Sequence, residues 1–183
     1  MLDFVIPHRA DGGRGSERRM QSARTPRPDI WRTSGSTRRA EADIARDIIA
    51  RYCHRMGEIE KLMGDYVALI GSDDTTLAAA FYETPASIVG PQAFLLLLTK
   101  TDVAKFLDDL LLSARPLGYA RSTLEYLATR MLNSEMALCS TITARWRADG
   151  SELQRVGTTY LLRRGTEGWK IRQLMMTDLD KLL

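Results

Sequence analysis

Two rhythms divide the chain. Over residues 41–70 and again over 99–114 apolar side chains recur every three or four positions, and from residue 121 they recur every second one. Residues 41–56, "EADIARDIIARYCHRM", set Ile44, Ile48, Tyr52 and Met56 at helical steps, which predicts a leading amphipathic helix. The pattern resumes after Gly57 through Ile59, Leu62, Met63, Tyr66, Val67 and Ile70, and "GSDDT" at 71–75 stops it. Asp74 or Thr75 is placed to cap a short helix, "TLAAAFYE", that Pro85 breaks. "ASIVG" reads as a short strand and "FLLLLT" as a second strand or a buried turn. The clearest helix is "TKTDVAKFLDDLLLSARPLG". Thr101 or Asp102 caps it, Val103, Phe106, Leu107, Leu110 and Leu111 form its stripe, and Pro116 and Gly118 end it.

The alternating part predicts four antiparallel strands, roughly 121–132, 135–148, 152–164 and 168–178, turned at Asn133-Ser134, Asp149-Gly150 and "RGTEG". Helices followed by a long-stranded meander give an α+β fold, with helices on one face of a curved sheet. A turn centred on Asp149-Gly150 sets Trp146 opposite Leu153, Ile142 opposite Gly157 and Ser140 opposite Thr159. A turn centred on Asn133-Ser134 sets Thr129 opposite Leu138, Leu127 opposite Ser140 and Glu125 opposite Ile142. One face then carries Leu127, Leu138, Ile142, Ala144, Trp146, Leu153 and Leu161, with Glu125, Thr129, Ser140, Arg155 and Thr159 as its polar members. The other carries Arg130, Cys139, Thr141, Thr143, Arg145, Gln154, Thr158 and Tyr160. The more apolar face is expected to meet the helices, because a buried polar group without a partner costs a few kcal/mol. One bulge would invert this map locally.

Charge redraws the domain boundaries. The chain of 183 residues has a net charge of +3, but residues 1–40 hold nine arginines and four acids. The basic excess therefore belongs to that segment, and the remainder is slightly acidic, which argues against nucleic-acid binding by the domain. Rich in Gly, Ser, Pro and Arg, residues 1–40 read as a disordered tail. The other readings are a basic arm for acidic partners, an Arg-rich transit peptide, or a mis-assigned start with Met20 or Met56 as the alternatives. Residues 41–56 then form the leading helix and 57–183 the domain. The longest apolar run, "FLLLL", falls far short of the roughly eighteen residues of a membrane span. With no secretory signal visible and two distant cysteines, Cys53 and Cys139, the expected setting is a reduced cytoplasm.

The segment "YVALIGSDDTTLAAAFYETPASIVGP" at 66–91 resembles the helix–helix–strand opening of nuclear-transport-factor-2-like domains, which include ketosteroid isomerases and polyketide-cyclase-like proteins. "GTTYLLRRGTEGWKI" at 157–171 resembles their penultimate hairpin, and the resemblance covers residues 56–180. It implies a cone: a curved antiparallel sheet closed by N-terminal helices around a pocket. It also implies a homodimer packed through the outer face of the sheet. The steroid isomerases combine a tyrosine on the first helix, a buried acid, and an Asp base before a proline. Tyr66 falls at the tyrosine position, Gly90 at the base position and Gly157 at or near the acid position. Since glycine accepts no proton, that proton shuttle is not expected here.

A pocket on the more apolar face would be lined by Tyr66, Phe81, Tyr82, Glu125, Leu127, Ser140, Ile142, Trp146, Arg155, Gly157 and Thr159. Glu125, oriented by Arg155, and Tyr66 are the candidate catalytic groups. Alternatively, Glu125 and Arg155 form a solvated cross-strand pair. Arg163 and Arg164, at the mouth of the last turn, are expected to be solvated. His54 and His8 build no metal set, and no cofactor is expected. The expected function is binding of a small hydrophobic molecule without catalysis. The alternatives are an isomerase or lyase acting on a polyketide- or steroid-like substrate, and an interaction module with a basic arm.

Overall fold

The computed structural model describes residues 35–70, 75–91 and 93–182. The readings that rest on residues 1–34, among them most of the basic tail and its proposed roles, lie outside the described residues. The compact unit with the sheet runs Asp43–Leu183.

The first helix, α1, is a single element, Gly35–Leu69, and begins ahead of the expected position 41. It runs through Gly57 and Gly64, each a helix-weakening residue by about 1 kcal/mol. Burial of Ile59, Met63, Tyr66 and Val67 on one face offsets this. The preceding stripe of Ile44, Ile48 and Tyr52 is exposed, so the amphipathic pattern there meets no core.

Helix α2 is only Thr75–Ala79, and strand β1 already starts at Tyr82, so Pro85 lies inside a strand and does not end a helix. It is tolerated there because β1 shifts register against its neighbour between Tyr82 and Ser87. The Thr84–Pro85 peptide bond is cis. Strand β2 is Ala93–Leu97 and helix α3 is Lys100–Ala114. The N-cap of α3 is Thr99, not the expected Thr101 or Asp102. The Thr99 hydroxyl accepts from the Asp102 N–H, and the Asp102 carboxylate accepts from the Thr99 N–H, closing a capping box. Those hydrogen bonds hold the Asp102 carboxyl below its ordinary range.

Strands β3 (Tyr119–Met131), β4 (Met136–Arg147), β5 (Glu152–Gly165) and β6 (Gly168–Met176) form the long meander. The six strands lie in the order β2-β1-β6-β5-β4-β3, antiparallel except where β1 runs parallel to β6. The β4–β5 register is the expected one from Ala144↔Arg155 through Leu138↔Leu161, and it shifts at Trp146, which faces Glu152 in place of Leu153. The β3–β4 register is one residue off the expected one near the turn: Thr129 faces Cys139 and Leu127 faces Thr141. A bulge at Glu125 then restores the count by Leu124↔Thr143.

The face assignment is inverted. Ala137, Cys139, Thr141 and Thr143 of β4, and Thr158, Tyr160 and Leu162 of β5, are buried and point toward the helices. The face expected to be inside lies on the convex side, except for Leu127 and Thr129 of β3, which the register slip turns inward opposite Thr141 and Cys139. Two facts explain this. The inner threonines carry methyl groups, and the Thr141 hydroxyl also reaches the Thr158 carbonyl at 3.4 Å. The apolar residues of the convex side are partly covered as well: Ala144 and Gly157 are buried, and a C-terminal turn at Leu179–Lys181 seats Leu182 over Gly157.

Candidate functional site

The inner face is a grid of cross-strand rows, graded from apolar at the closed end to polar at the open end. Met131, Ala137, Leu162 and Ile171 make the first row, and Thr129, Cys139, Tyr160 and Leu174 the second. Leu127, Thr141, Thr158 and Met176 follow, then Leu124, Thr143 and Val156. The last row is Ser122, Arg145 and Gln154.

Helix α1 contributes Tyr66, Ile70 follows directly after its end, and α3 contributes Phe106, Leu107 and Leu110, to close a cavity of about 160 Å3 over the open half of this grid. Two buried tyrosines, Tyr66 and Tyr160, line it, and a third, Tyr82, lies behind Tyr66. The hydroxyls of Tyr66 and Tyr82 share a hydrogen bond of 2.6 Å, and the ring of Tyr66 meets Tyr82 and Tyr160 edge-on, with centroids 5.7 and 6.0 Å apart. Burial raises the acidity threshold of all three phenols well above the ordinary value, so they stay neutral, although at Tyr82 the hydrogen bond with Tyr66 opposes the rise. At the mouth the Tyr119 hydroxyl donates to the Ile70 carbonyl at 3.0 Å and lies 2.8 Å from the Ser122 hydroxyl. The half-buried Arg145 beside them has no hydrogen-bond or ion-pair partner among the described residues. Burial lowers its proton affinity, an effect that Tyr119 and Tyr160 oppose.

Few of the predicted site residues meet at this cavity. Tyr66 lines it. Tyr82 sits behind Tyr66, and Leu127 is on the inner face through its pairing with Thr141. Phe81 packs on the Tyr66 ring at 5.8 Å but opens onto a separate groove outside the cone. Ser140, Ile142, Gly157 and Thr159 occupy the convex side, as does Arg155 opposite Ala144. Trp146 is also outside: its indole N–H donates to Thr123 at 2.7 Å and Arg121 lies over its ring. Glu125 is an exposed bulge residue that accepts from Thr123. Arg155 pairs with Glu152 at 3.0 Å, not with Glu125. The proposed Glu125–Arg155 constellation is therefore not assembled at the cavity: Arg155 keeps its expected place opposite Ala144, on the face that turns outward, and Glu125 stands on a bulge of β3. Gly157 lacks a side chain for a reason unrelated to proton transfer: a Cβ there would lie 2.3 Å from the Thr177 carbonyl oxygen.

A second constellation escapes the sequence pattern. Glu58 of α1 accepts from the Trp169 indole N–H at 3.1 Å and from Arg164 at 3.4 Å, and His54 lies 3.3 Å away. Arg163 pairs with Glu83 of β1 at 2.6 Å. The two arginines of the last hairpin thus clamp it to α1 and to β1, and neither is merely solvated. Cys139 is buried, which pushes its thiol up to about 11, while Cys53 is exposed. Among the described residues no group of three or more His, Cys, Asp or Glu is placed to hold a metal ion. No described helix is long and apolar enough to cross a membrane.

Residues 58–179, which contain the sheet, the tyrosines and every residue lining the cavity, match the family model described as NTF2-like protein (DUF6841). The chain belongs to the NTF2-like family. Solved structures agree with this assignment. An NTF2-like protein with a cystatin-like fold from Novosphingobium aromaticivorans superposes with a TM-score of 0.59 at 16% identity, covering 76% of this chain and 90% of that one. ActVI-ORFA from Streptomyces coelicolor gives 0.54 at 16% identity, covering 67% and 95%. A protein of unknown function from Mycobacterium tuberculosis gives 0.56 at 12% identity, covering 73% and 79%. At such identities the likeness shows the fold alone. No curated protein sequence matches the chain. In this NTF2-like domain the matched range begins at Glu58, where α1 meets the hairpin, and leaves out the exposed half of α1.

Proposed function

We propose that this NTF2-like domain binds a small, largely apolar molecule in the cavity between α1, α3 and the inner face of the sheet. The observation that carries the reading is the cavity itself, with aliphatic and aromatic walls, a tyrosine end and a polar mouth. Acid–base isomerisation or lyase chemistry is the weaker reading. It needs a group that exchanges a proton near neutral pH. Among the described residues lining the cavity the ionisable ones are Tyr66, Tyr160 and Arg145, and burial keeps both phenols protonated. Two unpaired cysteines support a reducing cytoplasmic setting.

The test is a titration of the isotope-labelled full chain with benzamide, a neutral ring probe, read by amide shifts. Shifts concentrated at Thr143, Val156 and Tyr160 are expected, together with their loss in Val156→Phe, which fills the cavity. A Val156→Phe protein that shows the same shifts as the parent would sink the reading.

A second copy of the chain is the occupant we infer for the convex side of the sheet. Its support is a set of cross-strand rows that reaches the sheet edge. Phe94, Val89, Met175, Thr159 and Ser140 make one, and Leu96, Ser87, Gln173, Leu161 and Leu138 the next. Phe94 and Leu96 are 65% and 57% exposed at the edge strand β2. Exposed apolar side chains at a free edge, continuous with rows that mix apolar and small polar residues, suit a docking surface, and a two-fold stack matches each row with its own copy.

A further inference from the structure

We infer that the ligand class of the cavity is a small monocarboxylate with a ring-sized apolar body, whose carboxylate meets the Arg145 guanidinium. The inference rests on the cavity reading above and deepens it.

Three observations lead there. The first is the missing counter-ion. Arg164, Arg172 and Lys170 are also half-buried on the sheet, and each holds an acceptor: Glu58, Glu83 and the Ala80 carbonyl. Arg145 holds none among the described residues, although it lines the cavity. A partly desolvated cation without a partner is costly, and an anionic ligand removes that cost. A guanidinium suits a carboxylate in particular, because its planar fork donates two parallel hydrogen bonds.

The second is the row itself. Ser122 and Gln154 flank Arg145 directly across the ladder, so a hydroxyl and an amide stand beside the guanidinium to receive a second polar atom. Every row further in is apolar or carries threonine, which orients an amphiphile with its charge at the mouth. The third is size. A cavity of about 160 Å3 is near the roughly 150 Å3 that admits a benzene ring, and well under that of drug-sized ligands. Bare phosphate leaves the inner walls unfilled, and a long acyl chain does not fit.

The experiment compares sodium benzoate with benzamide, which has nearly the same shape and no charge, at fixed ionic strength on the full chain. Benzoate is expected to bind about tenfold more tightly, as one charge-assisted hydrogen-bonded pair provides. In Arg145→Met the ratio of benzoate to benzamide affinity should fall to about one. Arg145→Gln, which keeps hydrogen-bonding capacity without charge, should lose the preference equally and serves if the methionine variant does not fold. Benzamide binding without a benzoate preference, or a preference that survives both variants, overturns the carboxylate inference and leaves the cavity reading standing. Absence of shifts at Thr143, Val156 and Tyr160 with both probes overturns the two together.

Discussion

A methyl group on residue 157 would stand 2.3 Å from the Thr177 carbonyl oxygen and 2.7 Å from Leu182 Cδ1. The first neighbour is backbone, fixed by the hydrogen bond that the Thr177 N–H donates to the Gly157 carbonyl at 3.0 Å. The second is the buried side chain that seats the C-terminal turn on the sheet. Neither relaxes without moving the chain, so Gly157→Ala is expected to cost about 2 kcal/mol through overpacking. Urea unfolding measures this, with Gly165→Ala as control. Gly165 also lies in β5, but nothing approaches its Cβ position within 4 Å. Equal midpoints for the two variants would show that the C-terminal turn is not seated as described. The same geometry revises what the glycine means. Its position resembles that of a buried acid in proteins that move protons, yet here the space belongs to the chain's own C-terminal end.

Among the elements, the hairpin β5–β6 and the helix α1 are joined by one carboxylate. Glu58 takes the Trp169 indole N–H and faces Arg164, whose Nε has no partner. Removing it leaves a buried indole N–H unsatisfied next to an uncompensated guanidinium. Glu58→Ala should therefore destabilise by about 2 kcal/mol, and Glu58→Gln by less, since its amide oxygen still accepts. Thermal unfolding of both variants decides it, and an alanine variant as stable as the parent would show that Glu58 does not tie the hairpin to α1. This contact also marks where the sequence is legible. The helix stripes, the four long strands and the β4–β5 register follow from period, turn dipeptides and spacing, because each is a local property. Which face of the sheet points inward is not local. Apolar content separates a buried side from an exposed one only where one side is bare. In this fold both sides are covered, the concave one by α1 and α3 and part of the convex one by Leu182. The apolar residues on both faces of the last strand, Ile171 and Leu174 inside with Met175 outside, are the one trace of this in the sequence. Glu125 belongs to the expected inner face that turns outward, and the bulge there leaves the candidate acid exposed. Arg145 shares a face with Thr143 in the expected ladder as in the observed one, but the expected ladder turns that face outward.

For the whole molecule, a sheet with apolar residues on both sides asks for a cover on its convex side larger than the segment 177–182 supplies. That segment lies over the Gly157 end of the convex side, where the Thr177 hydroxyl donates to Thr159, while the half-buried rows through Thr159 and Leu161 reach the exposed Phe94 and Leu96 at the edge. Stacked on a second copy, those rows would bury aliphatic surface on both partners at roughly 25 cal/mol per Å2, and the free edge of β2 would no longer face solvent alone. Light scattering coupled to size exclusion should therefore give about twice the chain mass of 20.6 kDa. Phe94→Glu with Leu96→Glu should give the single mass, because each places a charge in the contact that the two-fold axis repeats. Benzamide should still bind the double variant, since neither position lines the cavity. A parent chain that runs as a monomer at micromolar concentration would refute the stacked arrangement. A dimer unaffected by the double substitution would move the interface elsewhere, with the exposed stripe Ile44, Ile48 and Tyr52 of α1 as the next surface to alter.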